Sequence, residues 1–233
     1  MDLQAYLDFE KKIHLEFSDK ELLRQAFIHR SYINEHKDTG LEHNERLEFL
    51  GDAVLELVVT HFLYLRYPDD PEGQLTAYRS ALVRTESISE VARKLGMNDV
   101  LMLSKGEAKD QGKARDYILA NTFESFLGAL YLDVGYDAAK LFIETHLLKN
   151  IDTIIDEGLW RDAKSYVQEK AQEVYNETPH YETLSEEGPD HNKKFVIAIY
   201  FGEKKIAEGQ GNSKREAQQN AAQAALEKEH WLE

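Results

Sequence analysis

The chain of 233 residues contains no cysteine. That excludes a disulfide framework and any thiolate metal site. It also lacks an apolar run approaching the roughly 18–20 residues of a membrane span, so no transmembrane helix is expected. Its first residues, Met1-Asp2-Leu3-Gln4, carry no basic stretch followed by an apolar one. A secretory signal is therefore not expected, and the compartment expected is the cytoplasm. Positive charge is scarce: 28 Lys and Arg stand against 43 Asp and Glu, for a net charge of −15. Residues 160–233 are acidic as well, with ten Lys and Arg against fourteen Asp and Glu. A surface that attracts polyanions everywhere is excluded, and any phosphate binding must come from local clusters of cations. Tandem repeats and low-complexity tracts are also missing.

What is present suits two domains. Hydrophobic residues make up 42% and charged residues 30%, enough for packed cores beneath a solvated surface. The first part has almost no strand-like alternation. Ser18 ahead of Asp19-Lys20-Glu21 has capping-box spacing and predicts a helix to about Phe27. A long helix is predicted over His43–Tyr67, stopped by Pro68 and the turn-rich residues 69–73. Further helices are predicted at Gln74–Leu82, Glu86–Leu95, Asp116–Asp133 and Asp137–Ile155, with Gly96, Gly106, Gly112 and Gly135 between them. Near residues 157–160 the pattern changes. The boundary is placed there, giving domains 1–158 and 159–233. The second reads helix (162–176), three strands (Tyr181–Ser185, Phe195–Phe201, Ile206–Gln210) and a helix to about Glu229. Ser213 and Glu216 form a second capping box at the start of that last helix. The fold class expected is mainly α, an all-helical domain followed by a small α-β-β-β-α domain.

The densest chemical signal is His43-Asn44-Glu45-Arg46-Leu47-Glu48-Phe49-Leu50-Gly51-Asp52-Ala53. At 100° per residue Glu45, Glu48 and Asp52 fall within about 60° on one helix face. Leu47, Leu50, Val54, Leu55 and Val58 form an apolar face. Three aligned carboxylates repel one another unless a cation lies between them, and carboxylate oxygen is the ligand hard Mg²⁺ or Mn²⁺ prefers. The same spacing also describes an ordinary solvated face. A second set, Asn121 and Glu124, shares a face of the Asp116–Asp133 helix. The small Gly128 and Ala129 there suit close helix packing, so the two stripes could meet.

These residues resemble a known family. Asn44-Glu45-Arg46-Leu47-Glu48-Phe49-Leu50-Gly51-Asp52 is similar, nearly letter for letter, to the signature of ribonuclease III. The resemblance extends to His29-Arg30-Ser31, to the Leu119–Asp133 segment, and to the C-terminal segment, which is similar to a double-stranded-RNA-binding domain. It implies an all-helical nuclease domain that forms a homodimer, with Mg²⁺ (or Mn²⁺) as cofactor and double-stranded RNA as substrate. Glu48, Asp52, Asn121 and Glu124 fall on the family's metal-binding positions. Glu45, and Glu72 in the turn after the long helix, fall on two further acidic positions that shape the cleft. The implied products carry a 5′-phosphate and a 3′-hydroxyl with short 3′ overhangs, and the implied roles are ribosomal RNA maturation and RNA turnover.

One departure stands out: position 121 is Asn where most of the family carries Asp. The amide keeps one ligating oxygen and loses a charge. The chain is then a variant that still cuts, a protein altered to hold an uncut duplex, or a binder that does not cut. Because the other acidic positions are all present, cutting is the reading adopted.

In the second domain, Gln168 and Glu169 on the first helix are candidates for 2′-hydroxyl contacts. Gly188-Pro189-Asp190-His191 is similar to the family's loop that enters the next minor groove. Ser213, Lys214 and Arg215 gather free backbone N–H groups, the positive end of a helix dipole and two cations, which suits phosphates. Lys193 and Lys194 add charge nearby, while Gln218 stands where many relatives have Lys. Taken singly, each element is an ordinary cap, surface charge or turn; a terminal domain that binds protein is the competing reading. Tyr78, Phe123, Phe126 and Tyr131 are expected in the core or a dimer contact, Trp160 and Trp231 in packing, and His43 and His61 in structural roles.

Overall fold

A computed structural model describes residues 3–109, 112–156, 160, 162–189 and 193–231. The chain folds as two compact units, Met1–Glu157 and Gly158–Glu233.

The first unit contains α1 (Leu3–Ile13), α2 (Lys20–Ala26), α3 (Arg30–Glu35), α4 (Glu45–Arg66), α5 (Glu72–Leu82) and α6 (Thr85–Leu95). These are followed by α7 (Met97–Val100), α8 (Lys113–Asp133), α9 (Tyr136–His146) and α10 (Ile151–Asp156). At its centre is α8, which buries Ile118, Leu119, Phe123, Phe126, Leu127 and Leu130 and is apolar nearly all round, as a helix enclosed by others must be. Against it lies α4, burying Leu47, Gly51, Val54, Leu55, Val58 and Leu63. Phe126 anchors an aromatic cluster with Phe9, Phe17, Phe27 and Phe142 at centroid distances of 5.0–6.2 Å.

Asn44, before α4, is 2% exposed; its amide donates to the Ala26 carbonyl (3.1 Å) and its backbone N–H to the Ile28 carbonyl (2.9 Å). The start of α4 is thereby fixed to the α2 region. At the other end Pro68 cannot continue the ladder, and α4 stops at Arg66.

Several predicted bounds shift. Asp19, not Ser18, caps α2, its carboxylate accepting from the N–H groups of Glu21 and Leu22 at 3.0 Å. Glu72 is the first residue of α5 rather than part of a turn, because Pro71 supplies the extended residue before the helix. The expected helix over Asp137–Ile155 is α9, a 3₁₀ turn at Leu148–Asn150, and α10. Gly96 ends α6 in the left-handed region at φ 82°, whereas Gly112 precedes a helix. Gly135, at φ 105°, both follows the end of α8, its N–H reaching the Leu130 carbonyl at 3.3 Å, and precedes α9. α1, α3 and α7 fit the all-helical expectation, though the sequence reading delimits none of them. Tyr131 is 37% exposed and His61 is exposed, so neither sits in the core.

The second unit consists of α11 (Ala163–Tyr175), β1 (His180–Glu187), β2 (Lys194–Phe201), β3 (Lys204–Gly211) and α12 (Lys214–Lys228). The strands form an antiparallel sheet in the order β1-β2-β3, with Glu186 opposite Phe195 and Phe195 opposite Gly211. Val167, Ala171, Ile199, Phe201, Ile206, Ala221, Ala225 and Leu226 make the core. A Cβ on Gly209 would collide with the α12 backbone at Ala217 and Ala221, so the last helix lies directly on β3. Trp231 stacks on Phe201 at 5.6 Å, the packing role expected for it. Among the described residues no helix is long and apolar enough to cross a membrane.

Candidate active site and nucleic-acid interface

The crossing of α4 and α8 creates the first site. A Cβ on Gly51 would strike the carbonyl of Glu124, and one on Gly128 would strike the carbonyl of Leu47. Two glycines therefore let the helix backbones touch. Ser125 reinforces the junction, its hydroxyl donating to the Asn121 carbonyl at 2.7 Å and reaching the Asn44 carbonyl at 3.4 Å.

Glu48 lies one turn before Gly51, Asp52 follows it, and Asn121 and Glu124 precede Gly128. Glu124 and Asn121 are half-buried, as is Glu48, while Asp52 is exposed. Burial pushes the Glu124 carboxyl up to about 8, and the charges of Asp52, Glu48 and Glu56 push in the same direction. Glu48 is raised by burial and by Glu45, while a hydrogen bond with Asn121 opposes the rise and Asp52 adds to it. The four expected positions thus act on one another. Asn121 does so as an amide donor to Glu48, a role a carboxylate could not fill unless protonated.

Glu56 was not anticipated. It continues the stripe one turn beyond Asp52, the signal that could have disclosed it. Its carboxylate pairs with Arg79 Nε of α5 at 3.1 Å, and Arg79 also donates to Thr60 Oγ1 at 2.9 Å. Glu45 is exposed and faces Arg30 at 3.3 Å. Glu72 is not among the charges that shift Glu48 or Glu124. It accepts from Thr76 Oγ1 at 3.1 Å and borders a hollow of about 490 Å³ with Thr60, Leu63, Tyr64, Leu75 and Arg79.

The donor set offered by Glu48, Asp52, Asn121 and Glu124 is all oxygen, the chemistry of a hard divalent cation. Burial first, and the like charges of Asp52, Glu48 and Glu56 second, disfavour the ionised Glu124, and a divalent ion would relieve both. Among the described residues no three His, Asp or Glu side chains already form a closed cage. The carboxylates stand near one another without being drawn onto a common point.

The second unit gathers its candidates differently. Gln168 and Arg215 border one hollow of about 320 Å³, with Lys164, Ser165, Tyr181 and Gln219. Glu169 is exposed beside Gln168 on α11 but does not line that hollow. Ser213 caps α12 by accepting from Glu216 N–H at 3.1 Å, and Glu216 accepts in return from Asn212 N–H at 2.9 Å. The reciprocal box thus closes one residue earlier than its usual form. Arg215 is exposed, and among the described residues its side chain has no hydrogen bond or ion pair. Gln218, at the position where Lys was the family expectation, accepts from Lys164 Nζ at 2.8 Å. In the β1–β2 connection Gly188 takes φ 99°, and His191 lies outside the described residues.

The class defined here is a helical domain with a carboxylate–amide cluster at a glycine crossing, followed by an α-β-β-β-α module with a cationic helix start. Family models match both parts: Ribonuclease-III-like over residues 19–151 and Double-stranded RNA binding motif over residues 163–229. The chain is 42% identical to Ribonuclease 3 of Bdellovibrio bacteriovorus, covering 96% of each, and 43% identical to Ribonuclease 3 of Enterococcus faecalis, covering 97% of this chain and 98% of that one. The nuclease domain of ribonuclease III from Campylobacter jejuni, 37% identical, matches with a TM-score of 0.55 over 61% of this chain and 95% of its own. That structure was described for flexibility in a region involved in dimer formation. The chain belongs to the ribonuclease III family.

Proposed function

We propose that this chain is a homodimeric endoribonuclease that hydrolyses double-stranded RNA, with Glu48, Asp52, Asn121 and Glu124 holding Mg²⁺, for which Mn²⁺ substitutes. The observation that carries this is the meeting of those four oxygen-bearing side chains from two helices at the Gly51–Gly128 crossing. When bound, the cation supplies an activated water and polarises the scissile phosphate. The chain's own part is orientation. Asn121 donates a hydrogen bond to the Glu48 carboxylate, while burial, with the charges of Asp52, Glu48 and Glu56, favours the protonated form of Glu124. Hydrolysis joins a water oxygen to phosphorus and releases the 3′ oxygen, leaving 5′-phosphate and 3′-hydroxyl ends. Two such sites in a dimer, each cutting one strand, leave short 3′ overhangs. Ribosomal RNA maturation and RNA turnover are the cellular roles that fit the family, in the cytoplasm.

A stripe beside the acids supports the dimer. Phe49 is 81% exposed, Leu57 57% and Tyr64 69%, all within about 80° on α4. Large apolar side chains grouped on one face mark an association surface. Phe49 also borders a hollow of about 670 Å³ with Leu22, Leu50 and Leu132, apolar lining beside the exposed ring.

Duplex capture falls to Gln168, Glu169, Ser213, Lys214 and Arg215, with His191 as a groove contact. The amide of Asn121 favours one other reading, a duplex-binding protein whose cleavage is impaired, since a neutral ligand holds a cation less firmly than a carboxylate. A long RNA duplex incubated with Mg²⁺ separates the two. Conversion to short duplexes supports cleavage. An intact duplex under both Mg²⁺ and Mn²⁺, with cleavage restored in Asn121→Asp, establishes the binder.

A further inference from the structure

Two cations beside the start of α12 share one carboxylate. Lys193 Nζ donates to Glu186 Oε1 at 2.7 Å, and Lys214 Nζ stands 3.6 Å from Glu186 Oε2. One carboxylate therefore bridges two ammonium groups, one just before β2 and one in the first turn of α12. The register explains how. Glu186 is the cross-strand neighbour of Phe195, and the Lys214 ammonium lies over the Phe195 ring at 5.7 Å from its centroid. The ring supports Lys214 from below while the carboxylate holds it from the side. Lys193 and Lys214 hold the Glu186 carboxyl below the usual range, so it stays charged through neutral pH.

We propose that Glu186 is an internal counterion that lowers the affinity of this module for a phosphate backbone. This deepens the duplex-binding reading above and rests on it. All three partners are partly exposed, with side-chain exposures of 33%, 38% and 59% for Lys193, Glu186 and Lys214. Exposed pairs of this kind are individually weak and exchange readily for another anion. An arriving phosphate must displace the carboxylate, which remains within a few ångströms as a like charge, well inside a Debye length. Charge release on binding is reduced too, because the carboxylate offsets positive charge that would otherwise neutralise phosphates and free their counterions. Arg215, one residue along α12, has no such partner among the described residues and keeps its full charge for the ligand. The acidic balance of this unit is thus expressed locally, at the lysines that matter.

The test is fluorescence anisotropy with the full-length chain and a labelled RNA duplex about twice the ~16 bp span of such a module, in EDTA so that nothing is cut. Glu186→Gln preserves shape and removes the charge. It is expected to bind about three- to tenfold more tightly near 0.15 M salt, with a log–log salt slope steeper by up to about one. Its thermal midpoint should stay close to that of the parent, and adding Lys214→Ala should remove part of the gain. An E186Q chain that binds no more tightly than the parent overturns the inference while leaving duplex binding intact. Weaker binding with a lowered midpoint overturns it also, showing Glu186 to be a strut. A parent chain without duplex affinity removes the reading beneath it as well.

Discussion

Gly51 and Gly128 oppose each other across the α4–α8 crossing so closely that a Cβ on Gly128 would lie 3.1 Å from the Gly51 nitrogen and closer still to the Leu47 carbonyl. Glycine in mid-helix costs about 1 kcal/mol relative to alanine, so Gly51→Ala on an isolated helix would stabilise. Here the added methyl meets main chain, which cannot rotate away, and overpacking of about 1–3 kcal/mol or more wins. Gly51→Ala is expected to lower the midpoint of urea unfolding and to cost more activity than its lost stability explains. An unchanged midpoint with full activity would show that the helices need not touch.

The raised Glu124 sets a pH dependence for the metal-free protein. Its carboxyl is pushed to about 8 in the folded state against an ordinary value near 4.5. Folding then favours the protonated form. The stability contribution is complete below about 4.5 and is lost as pH rises through about 8. Between pH 5 and pH 9 in EDTA, the Glu124→Gln midpoint should gain on the parent as pH rises. Parallel curves for the two proteins would remove Glu124 from the account.

Asn121→Asp exchanges an amide donor for a fourth carboxyl group. Without a cation it forfeits the hydrogen bond to Glu48 and adds repulsion, so the variant is expected to melt at a lower temperature in EDTA. With Mg²⁺ the order should reverse, and half-maximal cleavage should need less metal. Equal metal requirement in both chains would mean that position 121 is not a ligand.

Lys214→Ala should weaken duplex binding for all sequences alike and reduce the salt slope by about one. Sequence-selective weakening, or no change, would move the phosphate contact elsewhere.

Phe49→Asp tests the association surface. A side chain that is 81% exposed contributes little to the folded protomer, so the variant should fold and sediment as a monomer. Dimers persisting at micromolar concentration would place the interface on another face.

Much of this was legible in the sequence. The stripe of Glu45, Glu48 and Asp52 follows from helical geometry, and the small residues of α8 foretold the close crossing. The strands of the second unit were placed by alternation, though each is longer than expected because exposed residues such as His180, Glu187 and Lys204 still join the ladder. The misplacements have physical causes. Ser18 and Asp19 both have capping side chains, and only the folded chain shows which oxygen reaches the free N–H groups. Glu72 read as turn because two prolines precede it, although Pro71 is suited to the residue before a helix. Glu56 with Arg79, and Glu186 with Lys193 and Lys214, were invisible for a different reason. Each joins residues on separate elements, and no periodicity reports such a meeting.

The most direct measurement is a crystal of this chain soaked in Mn²⁺, with the ion located by its anomalous scattering. The account predicts a peak bounded by oxygens of Glu48, Asp52, Asn121 and Glu124 at the α4–α8 crossing. Manganese bound only elsewhere, with those four side chains unmoved, would contradict it.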